Sequence, residues 1–488
     1  MTMNKKHFSL LKKSTLFGAA LAVAFGINGC SSDDSVSAPT FSPFERVATL
    51  DVVLKTDGSG DVDYAATYAK TQAVAAAIHT YIETVDDALP VVDGGNGFPA
   101  NWIIGGSDDL DPAVVDGILA IPSKDKIDPT LAEPDLSAKA NTYKIQVMDI
   151  CNAYYAKMAL GVTNVVAGDV TSKVANGFIH APTLPCEVSV YNDADNIYVD
   201  MLDPEAIFSL FFSDVLFGTQ MDDATFSDAM MQLPADVKGE LKTIIYAALE
   251  GDYPGGYTEM AQPMGPKYTQ NQIPKVVDDS PYDSPYIHYA YMKADASEIT
   301  FLELKGIAQD IINTLGLPDL PTSGTHEGIL DDLLSPGSSW RSARLTPLGL
   351  PGAGADATAA PYKNFVIEAC SPKYAKDALG SEATGPGRHH GPALPCEITV
   401  GVIQSTVDGP YDTLLVSFLE PGFMFNALFS DGFGAFDADT MAYYESLPGI
   451  VRADLKLLTD YALANQTAVT GLAAPLISLG ELKYDMLP

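Results

Sequence analysis

Hydrophobic spacing divides the chain into short alternating runs and longer amphipathic ones. After Cys186, Val188 and Val190 alternate with polar neighbours, and after Cys396 the residues Ile398, Val400 and Val402 do the same. That period of two marks half-buried strands. A second strand is expected at Ile197–Leu202 and another at Leu414–Leu419. Asp203 followed by Pro204 reads as an N-cap with proline at the first helical position, opening an aromatic-rich helix. The aromatic runs at 207–217 and 423–433 read as core or interdomain surface. After Pro234, Val237, Leu241, Ile244, Ala248 and Leu249 share one helical face. Val451, Leu455, Leu458, Ala462 and Leu463 repeat that spacing. Upstream, strands at Val47–Leu54 and Tyr286–Met292 precede helices at Tyr64–Glu83 and Glu298–Leu315. Such interleaving predicts an α+β fold with largely antiparallel sheets and helices packed against them.

The matching spacings belong to a tandem repeat. Tyr143-Lys144 and the run Cys151, Tyr155-Ala156-Lys157, Ala159-Leu160 recur 219 residues later as Tyr362-Lys363, Cys370, Tyr374-Ala375-Lys376, Ala378-Leu379. His180, Leu184-Pro185-Cys186-Glu187 recurs 210 residues later as His390, Leu394-Pro395-Cys396-Glu397. Asp203-Pro204 through Phe212-Ser213-Asp214 matches Glu420-Pro421 through Phe429-Ser430-Asp431. Leu233-Pro234 with Val237, Leu241 and Lys242 matches Leu447-Pro448 with Val451, Leu455 and Lys456. Four blocks in one order define a duplication. The expected organisation is a first repeat domain over 46–250, a proline-rich linker over 251–285, a second repeat domain over 286–470 and a tail over 471–488. Pro351–Pro361, rich in Gly and Ala, reads as a surface loop.

These blocks (Tyr-Ala-Lys…Ala-Leu, Leu-Pro-Cys, a strand pair, then Asp-Pro) resemble domain-of-unknown-function family 302. The resemblance runs best from Tyr143 to Leu249 and from Tyr362 to Leu463. Ala153 stands where the motif usually has proline, and long insertions separate the blocks. The resemblance implies small α+β domains prone to pairing, so that two tandem copies form an internal pseudo-dimer. It implies no established chemistry.

Charge and the N-terminus add location. With 63 Asp+Glu against 28 Lys+Arg in 488 residues, the net charge is −35. A hydrophobic content of 47% supports a folded core in spite of that acidity. So negative a surface repels phosphate backbones and excludes nucleic acid as a partner. Lys5, Lys6, Lys12 and Lys13 precede an apolar stretch from Leu16 to Ile27, which reads as a signal peptide over 1–29. Ile27-Asn28-Gly29-Cys30 is similar to the bacterial lipobox, so Cys30 is the expected lipidation site and membrane anchor. Removing the signal peptide takes four lysines and leaves a charge of −39. Residues 30–45, rich in Ser, Asp and Pro, read as a flexible tether. By the family rule for such lipoproteins, Ser31 after the cysteine implies outer-membrane sorting, facing the periplasm or the cell surface.

Beyond the anchor, four cysteines form two pairs at equivalent positions, Cys151 with Cys186 and Cys370 with Cys396. In an oxidising compartment they read as disulfides, each worth about 3–4 kcal/mol on the chain-entropy view. His180 and His390, each six residues before the second cysteine, open a second reading. Cys151, Cys186 and His180, or Cys370, Cys396 and His390, would then hold zinc or another soft metal. Asp149 and Glu368 before the first cysteine, and Glu187 and Glu397 after the second, could add a carboxylate. A third reading makes the thiols redox-active. Asp57–Asp63 resembles a calcium loop, but Val62 replaces its turn glycine and Tyr68 its bidentate glutamate. No nucleophile elbow, phosphate loop or Cys-x-x-Cys-His motif occurs. The function expected is a non-enzymatic binding or interaction module in the cell envelope, with protein partner, small ligand and catalytic residues unassigned and no cofactor required. The alternative is a periplasmic thiol-dependent redox enzyme.

Overall fold

The structure is a computed structural model. It describes residues 40–85, 102–104, 114–115, 118–122, 144–152, 155–156, 159, 180–184, 186–212, 224–269, 285–315, 341–348, 363–379, 387–394, 396–404, 410–435, 438–466, 472 and 474–482. The signal peptide, Cys30, most of the tether and the Pro351–Pro361 loop lie outside these residues.

The fold is α+β, with two antiparallel sheets of matching topology. In the first repeat, β1 (Phe44–Asp51) leads to α1 (Tyr64–Val85). Next come β2 (Ile118–Pro122), β3 (Lys144–Asn152), β4 (Cys186–Asn192) and β5 (Asn196–Leu202). They are followed by α2 (Pro204–Phe211), α3 (Ala224–Asp252) and β6 (Tyr257–Met264). In the second repeat, β7 (Tyr286–Lys293) leads to α4 (Phe301–Leu315), β8 (Arg341–Leu348) and β9 (Lys363–Cys370). Then come α5 (Pro372–Leu379), β10 (Cys396–Gln404) and β11 (Tyr411–Leu419). Last are α6 (Pro421–Leu428), α7 (Ala438–Ala464) and β12 (Leu476–Leu482). The strand order is β2-β3-β4-β5-β1-β6 in one sheet and β8-β9-β10-β11-β7-β12 in the other. The first sheet also carries two short strands, Trp102–Ile104 and Val114–Val115.

Local chemistry is the same in both copies. Asp203 caps α2 by accepting from the Glu205 amide, and Glu420 caps α6 by accepting from the Gly422 amide. Each cap carboxylate is also gripped by a cation from the long helix, Lys238 at 2.8 Å in the first copy and Arg452 at 2.8 Å in the second. The hydroxyl of Tyr155 donates to Glu240 and that of Tyr374 to Asp454, tying the Tyr-Ala block to the same long helix. The side chains of Asn152 and Ser371 accept from the amides of Tyr155 and Tyr374.

Three expectations about boundaries are corrected. β6 lies within the expected linker 251–285, and β12 lies within the expected tail 471–488. Both are edge strands with mostly exposed side chains, so neither carries the alternation that marks a half-buried strand. The helices expected to begin after Pro234 and Pro448 begin ten residues earlier and run through these prolines. Each proline removes one helical hydrogen bond, a loss that the packing of Leu233 and Leu447, both essentially fully buried, offsets.

The two sheets do not have separate cores. One hydrophobic cluster of buried residues includes Phe44, Val147 and Leu241 of the first repeat together with Ile287, Val400 and Leu455 of the second. The 3-10 turn Ala181–Thr183 of the first repeat packs on β10 and β11, and the turn Arg388–Ala393 of the second packs on β1, β3, β4 and β5. At the counterpart of Ala181, Gly391 lies so close to the first sheet that a Cβ would sit 3.1 Å from Ile145. Residues Thr40–Phe41 pair with Tyr268–Thr269 between the repeats, and the Tyr268 hydroxyl donates to the Ala427 carbonyl at 2.6 Å.

Tyr374→Phe removes the hydroxyl donor to the buried Asp454. Denaturant unfolding should show a loss of about 1–3 kcal/mol. An unchanged midpoint and slope would mean that the bond contributes nothing net.

Candidate functional site

The repeated blocks converge on a cavity in each copy. Ala156, Ala159, Leu184, Phe208 and Val237 line the first cavity, of about 40 Å³. Their counterparts Ala375, Ala378, Leu394, Phe425 and Val451 line the second, also of about 40 Å³. Every residue lining the second cavity except Phe429 has its repeat partner in the lining of the first. Small residues on one wall, alanines 156, 159, 375 and 378, leave space that the aromatic rings opposite do not fill. Tyr155 and Tyr374 hold the walls by their bonds to Glu240 and Asp454.

A third cavity, of about 20 Å³, lies between the repeats and is lined only by matched pairs. Among these pairs are Pro182 with Pro392, Glu187 with Glu397 and Phe211 with Leu428. Thr183 and Ile207 are shared with the first cavity, and Ala393 and Met424 with the second, so the three form one row across the junction.

Glu187 and Glu397 meet in the central cavity, where the Glu397 carboxyl bears on that of Glu187. Glu187 Oε2 is buried with no hydrogen-bond partner. Burial, then the Glu397 and Asp149 carboxylates, pushes Glu187 well above the ordinary carboxylate range. Two carboxyl groups in such surroundings share a proton. In the sequence both residues stand beside the cysteines, and no local pattern there signals that they face each other.

The repeat histidines occupy the same junction. His180 is fully buried, stacked on Phe212 at 4.6 Å between centroids and edge-on to Tyr286 of the other repeat at 5.2 Å. His390 is fully buried, stacked on Phe429 at 5.1 Å and edge-on to Phe44 of the other repeat at 5.0 Å. Each imidazole therefore bridges the two repeats. His390 also contacts Asp431 at 2.9 Å. Burial and the neighbouring His389 push His390 down to about 4, and the Asp431 carboxyl is held below its ordinary range by the two histidines in spite of its own burial. On the adjoining sheet face, Arg46 pairs with Asp200 at 2.9 Å in the first repeat. The equivalent pair in the second is His288 with Ser417 at 2.7 Å. Burial and His180 push His288 down to about 3.

The cysteines sit at the strand ends beside the cavities. Cys186 lines the first cavity and carries a free thiol, which burial and then Asp149 push up to about 12. Its register partner is Ile150, one position before Cys151, and Cys396 is opposite Ala369, one position before Cys370. Successive positions along a strand belong to opposite faces. The side chains of Cys151, Cys370 and Cys396 lie outside the described residues, so neither the disulfides nor the Cys/His metal sets are built from them here.

No family model matches the chain, and no curated protein and no solved structure matches it either. The likeness to family 302 therefore rests on the motifs alone.

The sign of the carboxyl pair's pH effect follows from its raised folded value. Near the ordinary value of 4.5 and above it, the folded state holds a proton that the unfolded chain has lost, so stability is full in acid and declines as pH rises. Replacing Glu187 by Gln should flatten the fall in melting temperature above that pH. A slope parallel to that of the wild type would remove the shared proton from the account.

Proposed function

We propose that this protein is a lipid-anchored cell-envelope module, without enzymatic activity, that binds a small apolar ligand in the paired cavities of its two repeats. The observation that carries this reading is that both copies keep the same cavity, walled by the same four blocks. A chance packing defect has no reason to recur with matched walls. Their apolar and aromatic lining suits the end of a hydrocarbon chain or a single aromatic ring. The acidic surface and the lipobox at Cys30 support an outer-membrane protein facing the periplasm or cell surface, with kinship to family 302. Among the described residues no helix is long and apolar enough to cross a membrane, so attachment in this reading runs through the lipid on Cys30. The thiol-redox alternative fares less well, because a thiol raised to about 12 is protonated where an attacking thiol must ionise.

The test uses a Cys30→Ser variant, which avoids detergent, titrated with toluene by isothermal calorimetry. Saturable binding heat is expected, lost in part on adding Ala159→Phe or Ala378→Phe and wholly with both. Absence of saturable heat in the Cys30→Ser protein, or full binding with both added substitutions, would refute the reading. Separately, labelled palmitate should enter the wild-type protein and not the Cys30→Ser variant. Equal labelling of both would remove Cys30 as the anchor.

A further inference from the structure

The turn that carries His390 into the other repeat also brings together three potential metal ligands from two segments of the second repeat. His389 and His390 lie on the 3-10 turn Arg388–Ala393, and Asp431 opens the 3-10 turn Ser430–Ala435 after α6. His390 Nε2 is 2.9 Å from Asp431 Oδ1, and His389 Nε2 is 3.5 Å from Asp431 Oδ2. The two imidazole centroids are 3.9 Å apart, and one donor atom from each of the three residues falls within 4.8 Å of the others. Ligands bound to zinc at ordinary lengths stand about 3.3 Å from one another in a tetrahedron. The observed spacings bracket that value.

Hydrogen bonding at His390 points independently to a cation. Its Nδ1 faces the Gly387 carbonyl at 3.3 Å while its Nε2 faces a carboxylate, so both ring nitrogens address acceptors. A neutral imidazole carries one N–H and can satisfy only one of them. Donation from Nδ1 to a backbone carbonyl is the arrangement that orients a ligating histidine, leaving the Nε2 lone pair toward the metal. Between that lone pair and the Asp431 oxygen, something positive is required. A proton on His390 would supply it, and so would a divalent ion, which would also take the His389 imidazole as a ligand.

We infer that His389, His390 and Asp431 form a binding site for a divalent first-row transition ion, of which zinc is the best fit. Two imidazoles and a carboxylate suit that class of ion. His390 is fully buried, with Phe44 and Phe429 against its ring. His389 is 12% exposed and Asp431 28%, leaving an open side for ion entry and for a water as fourth ligand. The site shares only His390 with the Cys/His sets expected from sequence. It belongs to the second repeat only, since Ile179 occupies the position equivalent to His389. It goes beyond the apolar-ligand reading, and either can fail without the other.

The test is cobalt titration of the full mature protein, first stripped with chelator, followed by zinc displacement. One equivalent of Co²⁺ should bind, giving visible ligand-field bands without a thiolate charge-transfer band. His389→Ala and Asp431→Asn should each weaken binding by roughly 100-fold, with unchanged circular dichroism and melting in the absence of metal. No stoichiometric binding, a thiolate band, or undiminished affinity in folded His389→Ala protein would overturn the site.

Discussion

The structure depends on a reciprocal exchange: each repeat sends its histidine-bearing turn onto the other repeat's sheet. His180 meets Tyr286 in one direction and His390 meets Phe44 in the other. These crossings place strongly buried polar rings where neither repeat alone could cover them. They also explain why the core is continuous across the two sheets, and why a Cβ at Gly391 would crowd Ile145. The central cavity and its carboxyl pair follow from the same crossing, since each repeat supplies half of their walls.

Within each repeat, the long helix organises the site by electrostatics as much as by packing. Lys238 and Arg452 each neutralise the carboxylate that caps the short helix before it in the same repeat, α2 or α6. Glu240 and Asp454, on the same long helices, hold the tyrosines of the opposite cavity wall. In a chain with few cations, positioning one at each cap neutralises a carboxylate whose burial would otherwise be costly. The wall geometry is thus fixed at both ends by charged or polar contacts, and the lining between them remains apolar.

Much of this was legible in the sequence, but unevenly. The duplication, the strand pairs β4–β5 and β10–β11 and the proline-capped helices all follow from local spacing. The edge strands β6 and β12 leave no hydrophobic period in the sequence, because most of their side chains face solvent. The cavities were invisible for the opposite reason, since Ala159, Phe208 and Val237 look like ordinary core residues. His390 was singled out through its repeat partner, but Asp431 lies 41 residues further on and joins it only through the turn after α6. Glu187 and Glu397 are legible in the sequence only one at a time; their encounter depends on the arrangement of the two repeats.

Joining the halves in one polypeptide has a consequence for how the junction can change. In a symmetric homodimer every substitution near the axis appears twice, so an imidazole or a guanidinium gained on one side is imposed on the other. Here the two sides have already parted, with Arg46 and Asp200 in one sheet where the other has His288 and Ser417. A second histidine, His389, stands opposite an isoleucine in the same comparison. Covalent linkage frees each half to specialise while the other keeps the shared architecture in place.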